Sequence, residues 1–206
     1  MNKSSTKLKG ATSYKQTSFG IVPRTKLLQL ELKGTIKGLE FIAINFHREL
    51  TPQLILKVHE IAYAWIFPDW AGKYRTVRVQ YSGKEAPLPH LVPALITNLC
   101  ADLAERLKHL DREEVTAIIE LLAWFQHRFV WIHPFKDYNG RLGRMLTTFI
   151  LLQLGLPPIE IKANNKQDRE SYLQAMYLAD DGNYTKLEYL IKQALDESLS
   201  SVIGNK

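Results

Sequence analysis

The stretch that decides the fold is residues 121–144, LLAWFQHRFVWIHPFKDYNGRLGR, in which a mostly apolar half leads into a mostly polar half. The apolar half is typical of a buried helix, and a second apolar segment over residues 145–154 predicts another. The first backbone N–H groups of a helix have no partner within it, so they can bind an anion. We therefore expect a tight polar turn between two core helices, with an anion site at the start of the second.

The polar residues of this turn suit phosphate chemistry. Gly140 has no Cβ, so a phosphate can approach the backbone closely. Arg141 and Arg144 are three residues apart, so both guanidinium groups project from one side of the helix, as a polyphosphate requires. Asp137 can hold Mg²⁺ beside phosphates. His133 is the only imidazole of the turn, and we expect it to act as the general base on an attacking hydroxyl.

The order of these residues resembles the central motif of the Fic family, His-x-Phe-x-(Asp or Glu)-Gly-Asn-Gly-Arg-x-x-Arg. The matching positions are His133, Phe135, Asp137, Asn139, Gly140, Arg141 and Arg144. A match of this length disfavours the alternative interpretation, a polar turn with no ligand. The similarity extends over residues 50–190. The resemblance implies an all-α, Fic-like helical bundle with one short β-hairpin flap.

The resemblance also implies an activity, the transfer of AMP from ATP to a Ser, Thr or Tyr hydroxyl of a target protein. His133 would then accept the hydroxyl proton, and Asp137 would carry Mg²⁺ between the phosphates. The residues implied to bind the nucleotide are Asp137, Tyr138, Asn139, Gly140, Arg141, Arg144 and Tyr172. Gly140 favours nucleotidyl transfer, because the related Doc branch has Lys there and is associated with phosphorylation. Transfer of UMP, phosphocholine or phosphate, and a pseudoenzyme that only binds ATP, stay open as alternatives.

A short alternating segment, residues 74–81, followed by Ser82-Gly83, predicts the hairpin. The resemblance makes this hairpin the flap that binds the target protein by pairing with its backbone as an added strand. The residues expected to form the flap are Val77, Arg78, Val79, Gln80, Tyr81, Ser82 and Gly83.

Tyr138 departs from the family motif, which has Gly at this position. A backbone that needs a positive φ there would resist Tyr. We therefore expect either a different path through the turn or an altered anion site with reduced activity.

Many Fic proteins carry a second motif, (Ser or Thr)-x-x-x-Glu-(Gly or Asn), whose Glu pairs with the second motif arginine, here Arg144, and blocks productive ATP binding. Residues 1–30 contain no acidic residue, and only Thr116–Glu120 has the spacing, inside the helix that leads to the motif. We therefore expect no such Glu within this chain, and activity that is constitutive, controlled by a regulatory partner chain or controlled by another device.

The net charge of +6 comes from one end of the chain. Six basic residues precede residue 27 and the first acidic residue is Glu31, so the remainder has 27 − 6 = 21 basic and 21 acidic residues. We expect residues 1–26 to form a basic, flexible arm and residues 27–206 a single Fic-like helical domain. Nucleic-acid binding through the arm is the disfavoured alternative, and it would show a steep salt dependence.

Composition excludes several other classes. The single cysteine, Cys100, rules out an internal disulfide framework and a cysteine-based zinc site. Apolar runs are too short to cross a bilayer, and the first residues lack the apolar segment of a secretory signal. We expect a cytoplasmic protein with no membrane partner, with secretion as an effector left open.

Apolar periodicity predicts the remaining helices. Thr51-Pro52 predicts a helix start, since Thr is a good N-cap and Pro suits the first helical position. Further helices are expected from Leu27, over residues 93–110, 112–130 and 141–154, and near residues 168–178 and 185–199.

Overall fold

The structure is a computed structural model that describes residues 15–81, 84–163 and 165–204. Within these residues the chain forms seven α-helices and two antiparallel two-stranded sheets. The elements in chain order are β1 (Lys15–Thr17), β2 (Gly20–Val22), α1 (Arg24–Asn45), α2 (Pro52–Tyr63), β3 (Gln80–Tyr81), β4 (Lys84–Glu85), α3 (Val92–His109), α4 (Val115–Ile132), α5 (Asn139–Gln153), α6 (Lys166–Asp180) and α7 (Thr185–Gly204). The all-α prediction is confirmed.

The predicted start of α2 is confirmed in detail. Thr51 has extended backbone angles, and its side-chain oxygen accepts a hydrogen bond from the N–H of Leu54 at 3.2 Å. This bond satisfies one of the N–H groups that a helix leaves without an internal partner. The other predicted helices are also present, with ends that differ from the prediction by a few residues.

Residues 15–26, which were expected to belong to a flexible arm, contain regular secondary structure. Strands β1 and β2 form a hairpin there, and α1 begins at Arg24. The hairpin turn uses Gly20 at φ 78°, and the Ser18 N–H donates to the Ile66 carbonyl at 2.9 Å. Composition did not predict these contacts, since Ser, Thr and Lys favour solvent, but Thr17 bonds to Phe19 and Gly20 within the turn and Ser18 bonds to the distant Ile66. The rest of the predicted arm, residues 1–14, lies outside the described residues.

The predicted flap is present but shorter than expected. Its strands β3 and β4 pair over two residues each, with Gln80 opposite Glu85, and residues 74–79 are not strand. The turn residues Ser82 and Gly83 lie outside the described residues. With the β1–β2 hairpin, the described chain has two hairpins, so the prediction of a single one is incomplete.

Helix α4 lies at the centre of the core and packs against α3, α5, α6 and α7. Its apolar side chains are buried almost all round, as the sequence predicts for a core helix. Helix α1 packs against α2 and α5 on one side of this core. Among the described helices, none is long and apolar enough to cross a membrane.

Two glycines allow α1 to lie close to its neighbours. A Cβ on Gly34 would stand 2.2 Å from the Ala62 carbonyl oxygen, and a Cβ on Gly38 would stand 2.3 Å from the Met145 terminal methyl. A larger residue at Gly34 would push α1 away from α2, because the obstacle is backbone, whereas a larger residue at Gly38 would require the flexible Met145 side chain to move. This close approach brings the preceding turn of α1, which carries Glu31, to the start of α5.

Candidate active site

The motif turn lies between the end of α4 and the start of α5 and lines a cavity of about 540 Å³, a volume typical of small-molecule sites. All of the predicted base and nucleotide-binding residues line it, namely His133, Asp137, Tyr138, Asn139, Gly140, Arg141, Arg144 and Tyr172. Of the predicted flap residues whose side chains are described, Gln80 lines the cavity and Val77, Arg78 and Val79 do not. The structure therefore brings the motif residues together in one concave site.

His133 ends α4 in the left-handed conformation, at φ 51° and ψ 57°. Its Nδ1 lies 3.1 Å from the Val130 carbonyl oxygen, which can only accept, so Nδ1 carries the proton and Nε2 carries the lone pair. Burial lowers the pKa of His133, which keeps the imidazole neutral at pH 7. A neutral imidazole with a basic Nε2 in the cavity is what a general base requires.

The Asn139 side chain forms hydrogen bonds within the turn and stabilises it, rather than binding a ligand. Its side-chain oxygen accepts from the Phe135 N–H at 2.8 Å, and its side-chain NH₂ donates to the Phe135 carbonyl at 2.9 Å. Phe135 is buried in the core, as expected. Asn139 therefore contributes to an anion site through its backbone N–H at the start of α5, while its amide fixes the path of the turn.

His59 packs against the turn, and no motif in the sequence marks it. Its ring stacks on Phe135, with centroids 3.8 Å apart and planes 5° from parallel. Nδ1 accepts from the Gly72 N–H at 2.9 Å, so Nε2 donates to the Asp137 carbonyl at 3.3 Å. Burial lowers the pKa of His59 to about 4, so this bridge carries no charge at neutral pH.

Arg75 connects the flap to the backbone around His133, and no pattern in the sequence predicted this role. Its guanidinium donates to four backbone carbonyls, those of His133 at 2.7 Å, Ile132 at 3.3 Å, Val77 at 3.1 Å and Pro87 at 2.6 Å. Its own N–H donates to the Pro134 carbonyl. The end of α4 and both ends of the flap segment are thus tied to one buried side chain.

The anion end of the site lies at the first turn of α5. Tyr138, the N-cap residue, makes no side-chain cap bond, so the first N–H groups of α5 are available to a ligand. A Cβ on Gly140 would stand 3.7 Å from Nη1 of Arg144, which places that guanidinium over the same turn. The guanidinium carbon of Arg144 also lies 5.8 Å from the centre of the Tyr172 ring. The Tyr172 hydroxyl accepts a hydrogen bond from the buried side-chain NH₂ of Gln126 at 2.7 Å.

Tyr138 adopts the conformation expected to resist it. Its φ is 66° and its ψ 13°, the left-handed region that Gly occupies at little cost. The turn therefore follows the path that the family motif implies, and of the two expected outcomes the different path is wrong. The ring is buried against Tyr63, with centroids 4.2 Å apart, and this packing offsets the backbone strain.

Glu31 occupies the anion end, although it does not belong to the second motif. One carboxylate oxygen accepts from Nη1 of Arg141 at 2.7 Å and the other from the Tyr138 hydroxyl at 2.6 Å. Glu31 does not fit the second motif, because Leu27 stands where the motif has Ser or Thr and Leu32 stands where it has Gly or Asn. The partner is also the first motif arginine rather than Arg144.

Asp137 is the residue of the turn that fits Mg²⁺. Its carboxylate accepts from the Tyr138 N–H at 2.7 Å, which orients it at the cavity. In the part of the chain that the structure describes, no three His, Cys, Asp or Glu side chains are placed to hold a metal ion. A single carboxylate beside a phosphate site suits Mg²⁺, which keeps several waters and shares phosphate oxygens.

The far wall of the cavity ties α6 to the flap. Asp180 accepts from Lys84 of β4 and from Nε2 of His127 at 2.9 Å, while the Tyr184 hydroxyl donates to the other nitrogen of His127. His127 is buried with both nitrogens bonded, so it is a satisfied core histidine. Gly182, in the turn after α6, has a φ of 83°.

Comparison with known proteins identifies the family. Residues 49–151 match the model of the Fic/DOC family, a span of 103 of the 206 residues. This chain belongs to the Fic/DOC family. Among curated relatives, the Protein adenylyltransferase Fic of Nematostella vectensis is 24% identical over 92% of this chain and 43% of its own length. Protein adenylyltransferase fic-1 of Caenorhabditis briggsae is 29% identical over 84% of this chain and 34% of its own.

Solved structures share the fold. A Fic-domain signaling protein from Bacteroides thetaiotaomicron superposes with a TM-score of 0.69 at 25% identity, covering 82% of this Fic chain and 70% of that one. The BepC protein of Bartonella tribocorum, solved with bound AMPPNP, superposes with a TM-score of 0.64 at 20% identity, covering 91% and 94%. This chain spans less than half the length of the two curated relatives.

Proposed function

We propose that this Fic chain transfers AMP from ATP to a hydroxyl side chain of a target protein. The observation that carries the proposal is His133, a neutral imidazole whose Nε2 is the basic nitrogen, in the same cavity as Arg141, Arg144 and the start of α5. Adenylyltransferase relatives and the nucleotide-bound BepC structure support the choice of nucleotide and reaction.

In this reaction the target hydroxyl oxygen forms a bond to the α-phosphorus of ATP. The bond from that phosphorus to the bridging oxygen breaks, and pyrophosphate leaves. The hydroxyl proton passes to Nε2 of His133. The guanidinium groups of Arg141 and Arg144 and the N–H groups of α5 neutralise phosphate charge, which supplies most of the catalytic gain in phosphoryl chemistry. Mg²⁺ held by Asp137 would neutralise the phosphates further.

Target binding falls to the flap in this proposal. Strand β3 lies at the rim of the cavity through Gln80, and the flap is held there by the bond from Lys84 to Asp180. An extended target segment that pairs with the flap backbone would present its hydroxyl to His133.

The Glu31 contact favours a second candidate, a chain that binds ATP weakly and transfers nothing until Glu31 leaves Arg141. Glu31 occupies Nη1 of Arg141 and offsets its charge, so it competes with ATP phosphate for this guanidinium. The expected behaviour of the isolated chain is therefore low activity rather than constitutive activity.

The test uses ATP labelled at the α-phosphate with a cell lysate, and CTP, GTP and UTP in parallel. His133→Ala should abolish label transfer while ATP affinity stays within about two-fold, because this residue acts on the hydroxyl and not on the phosphates. His109→Ala, an exposed histidine paired with Glu105, is the matched control and should transfer normally. Wild-type turnover in His133→Ala would refute the role of the base. No transfer by the wild-type chain, together with transfer by Glu31→Ala, would favour the second candidate.

A further inference from the structure

Glu31 is held at the anion end by two donors, not one. Arg141 donates to one oxygen and the Tyr138 hydroxyl donates to the other, at 2.7 and 2.6 Å. The Glu31 side chain is only 8% exposed, so both bonds form in a largely water-free setting where they are stronger than on the surface. The second donor exists only because this chain has Tyr where the family motif has Gly.

Contacts with three other aromatic rings, rather than with Glu31, hold the Tyr138 ring in place. It stacks on Tyr63 at 4.2 Å, and the rings of Phe67 and Trp70 lie against it at 5.8 and 6.0 Å. A ring held in this way loses little conformational freedom when its hydroxyl forms a hydrogen bond. The guanidinium carbon of Arg141 lies 5.3 Å from the Tyr138 ring centre, so the same ring orients the second donor.

We propose that Tyr138 is a positioning residue that holds Glu31 on Arg141 and thereby lowers the affinity of the site for nucleotide phosphate. This inference rests on the proposed function for the identity of the phosphate ligand. A phosphate that takes Nη1 of Arg141 must displace a carboxylate held by two donors, whereas Gly at position 138 would leave only the ion pair.

Ionisation of the phenol does not disturb this arrangement. Burial and the neighbouring Glu31 carboxylate raise the pKa of Tyr138 far above the ordinary range for tyrosine. The hydroxyl therefore keeps its proton, and remains a donor to Glu31, at neutral pH.

Tyr138→Phe tests the proposal, because it removes the hydroxyl and keeps the stacked ring. We expect the dissociation constant of Mg·ATP, measured by calorimetry on the whole chain, to fall about five-fold. The melting temperature without ligand should also fall, since Glu31 loses a partner. A purely structural role would lower stability and weaken ATP binding together, so opposite signs separate the two roles. Tyr63→Phe, which removes a neighbouring buried hydroxyl that makes no hydrogen bond to Glu31, should change affinity less than about two-fold.

A double-mutant cycle shows whether Tyr138 acts through Glu31. In the Glu31→Ala background, Tyr138→Phe should leave the affinity unchanged, because the carboxylate it positions is gone. An equal change in both backgrounds would overturn the proposal and mean that Tyr138 contacts the nucleotide or only supports the fold.

Inorganic triphosphate separates this inference from the proposed function. If triphosphate follows the same cycle while no variant transfers label from ATP, the proposed function fails and the role of Tyr138 stands. If neither ATP nor triphosphate binds any variant, the role of Tyr138 fails as well.

Discussion

The polar groups at the two ends of the motif turn have hydrogen-bond partners of different origin. At the base end, Asn139 bonds to the Phe135 backbone, His133 bonds to Val130, and Arg75 donates to the carbonyls around them. At the anion end, Arg141 and Tyr138 take their shared partner, Glu31, from α1, more than 100 residues earlier in the chain. The base end is therefore built into the core, whereas the anion end holds a carboxylate that phosphate can replace.

The largest effect is expected at the base end, from Arg75→Ala. The change leaves buried carbonyls without donors, and we expect it to lower the free energy of unfolding by about 3 kcal/mol. Denaturant unfolding measures this loss. Arg75→Lys should not restore stability, because a point charge cannot reach four carbonyls in a plane. Arg78→Ala, an exposed arginine in the same segment, is the control and should change stability by less than about 0.5 kcal/mol. Equal effects at both positions would show that the base end is not built on Arg75.

His59 should make the base end sensitive to acid. Its folded pKa, about 4, lies below the unfolded value of 6.5, so the unfolded state binds more protons between these values. Its contribution to stability is therefore complete above pH 6.5 and is lost as the pH falls towards 4. We expect a loss of about 2 kcal/mol between pH 7 and pH 5.

His59→Gln should remove most of this pH dependence. The lowered pKa values of His127 and His133 act in the same direction, so some dependence remains in the variant. Urea unfolding at the two pH values gives the comparison. An unchanged difference between pH 7 and pH 5 in His59→Gln would mean that His59 is not the group that titrates.

What the sequence could predict follows the same division. The motif residues lie within twelve positions, so their order and spacing predicted the turn, the candidate base and the anion site. Arg75 and His59 lie 58 and 78 residues from their partners, and no local pattern marks them. Contacts of this kind depend on how the helices pack, which periodicity alone does not specify.

The position of Glu31 in the sequence pattern of α1 also indicates a buried partner. It lies among Leu27, Leu30 and Gly34 on the buried face of α1, where an acidic residue is costly unless it is paired. A lone acid on the apolar face of a helix predicts a buried cationic partner. Tyr138 had a signal too, since a bulky residue at a glycine position needs a compensating contact, here the ring stack and Glu31.

Glu31→Ala is the most direct test of the difference between the two ends. The base end should not depend on Glu31, whereas Glu31 should block phosphate binding at the anion end. The measurement is label transfer from α-labelled ATP to protein, by wild type, Glu31→Ala and Glu31→Ala/His133→Ala, beside their ATP affinities. We expect Glu31→Ala to bind ATP about twenty-fold more tightly and to transfer label faster than wild type. The double variant should keep the tighter binding and lose the transfer. If wild type binds and transfers as well as Glu31→Ala, or if the double variant still transfers, the account is wrong.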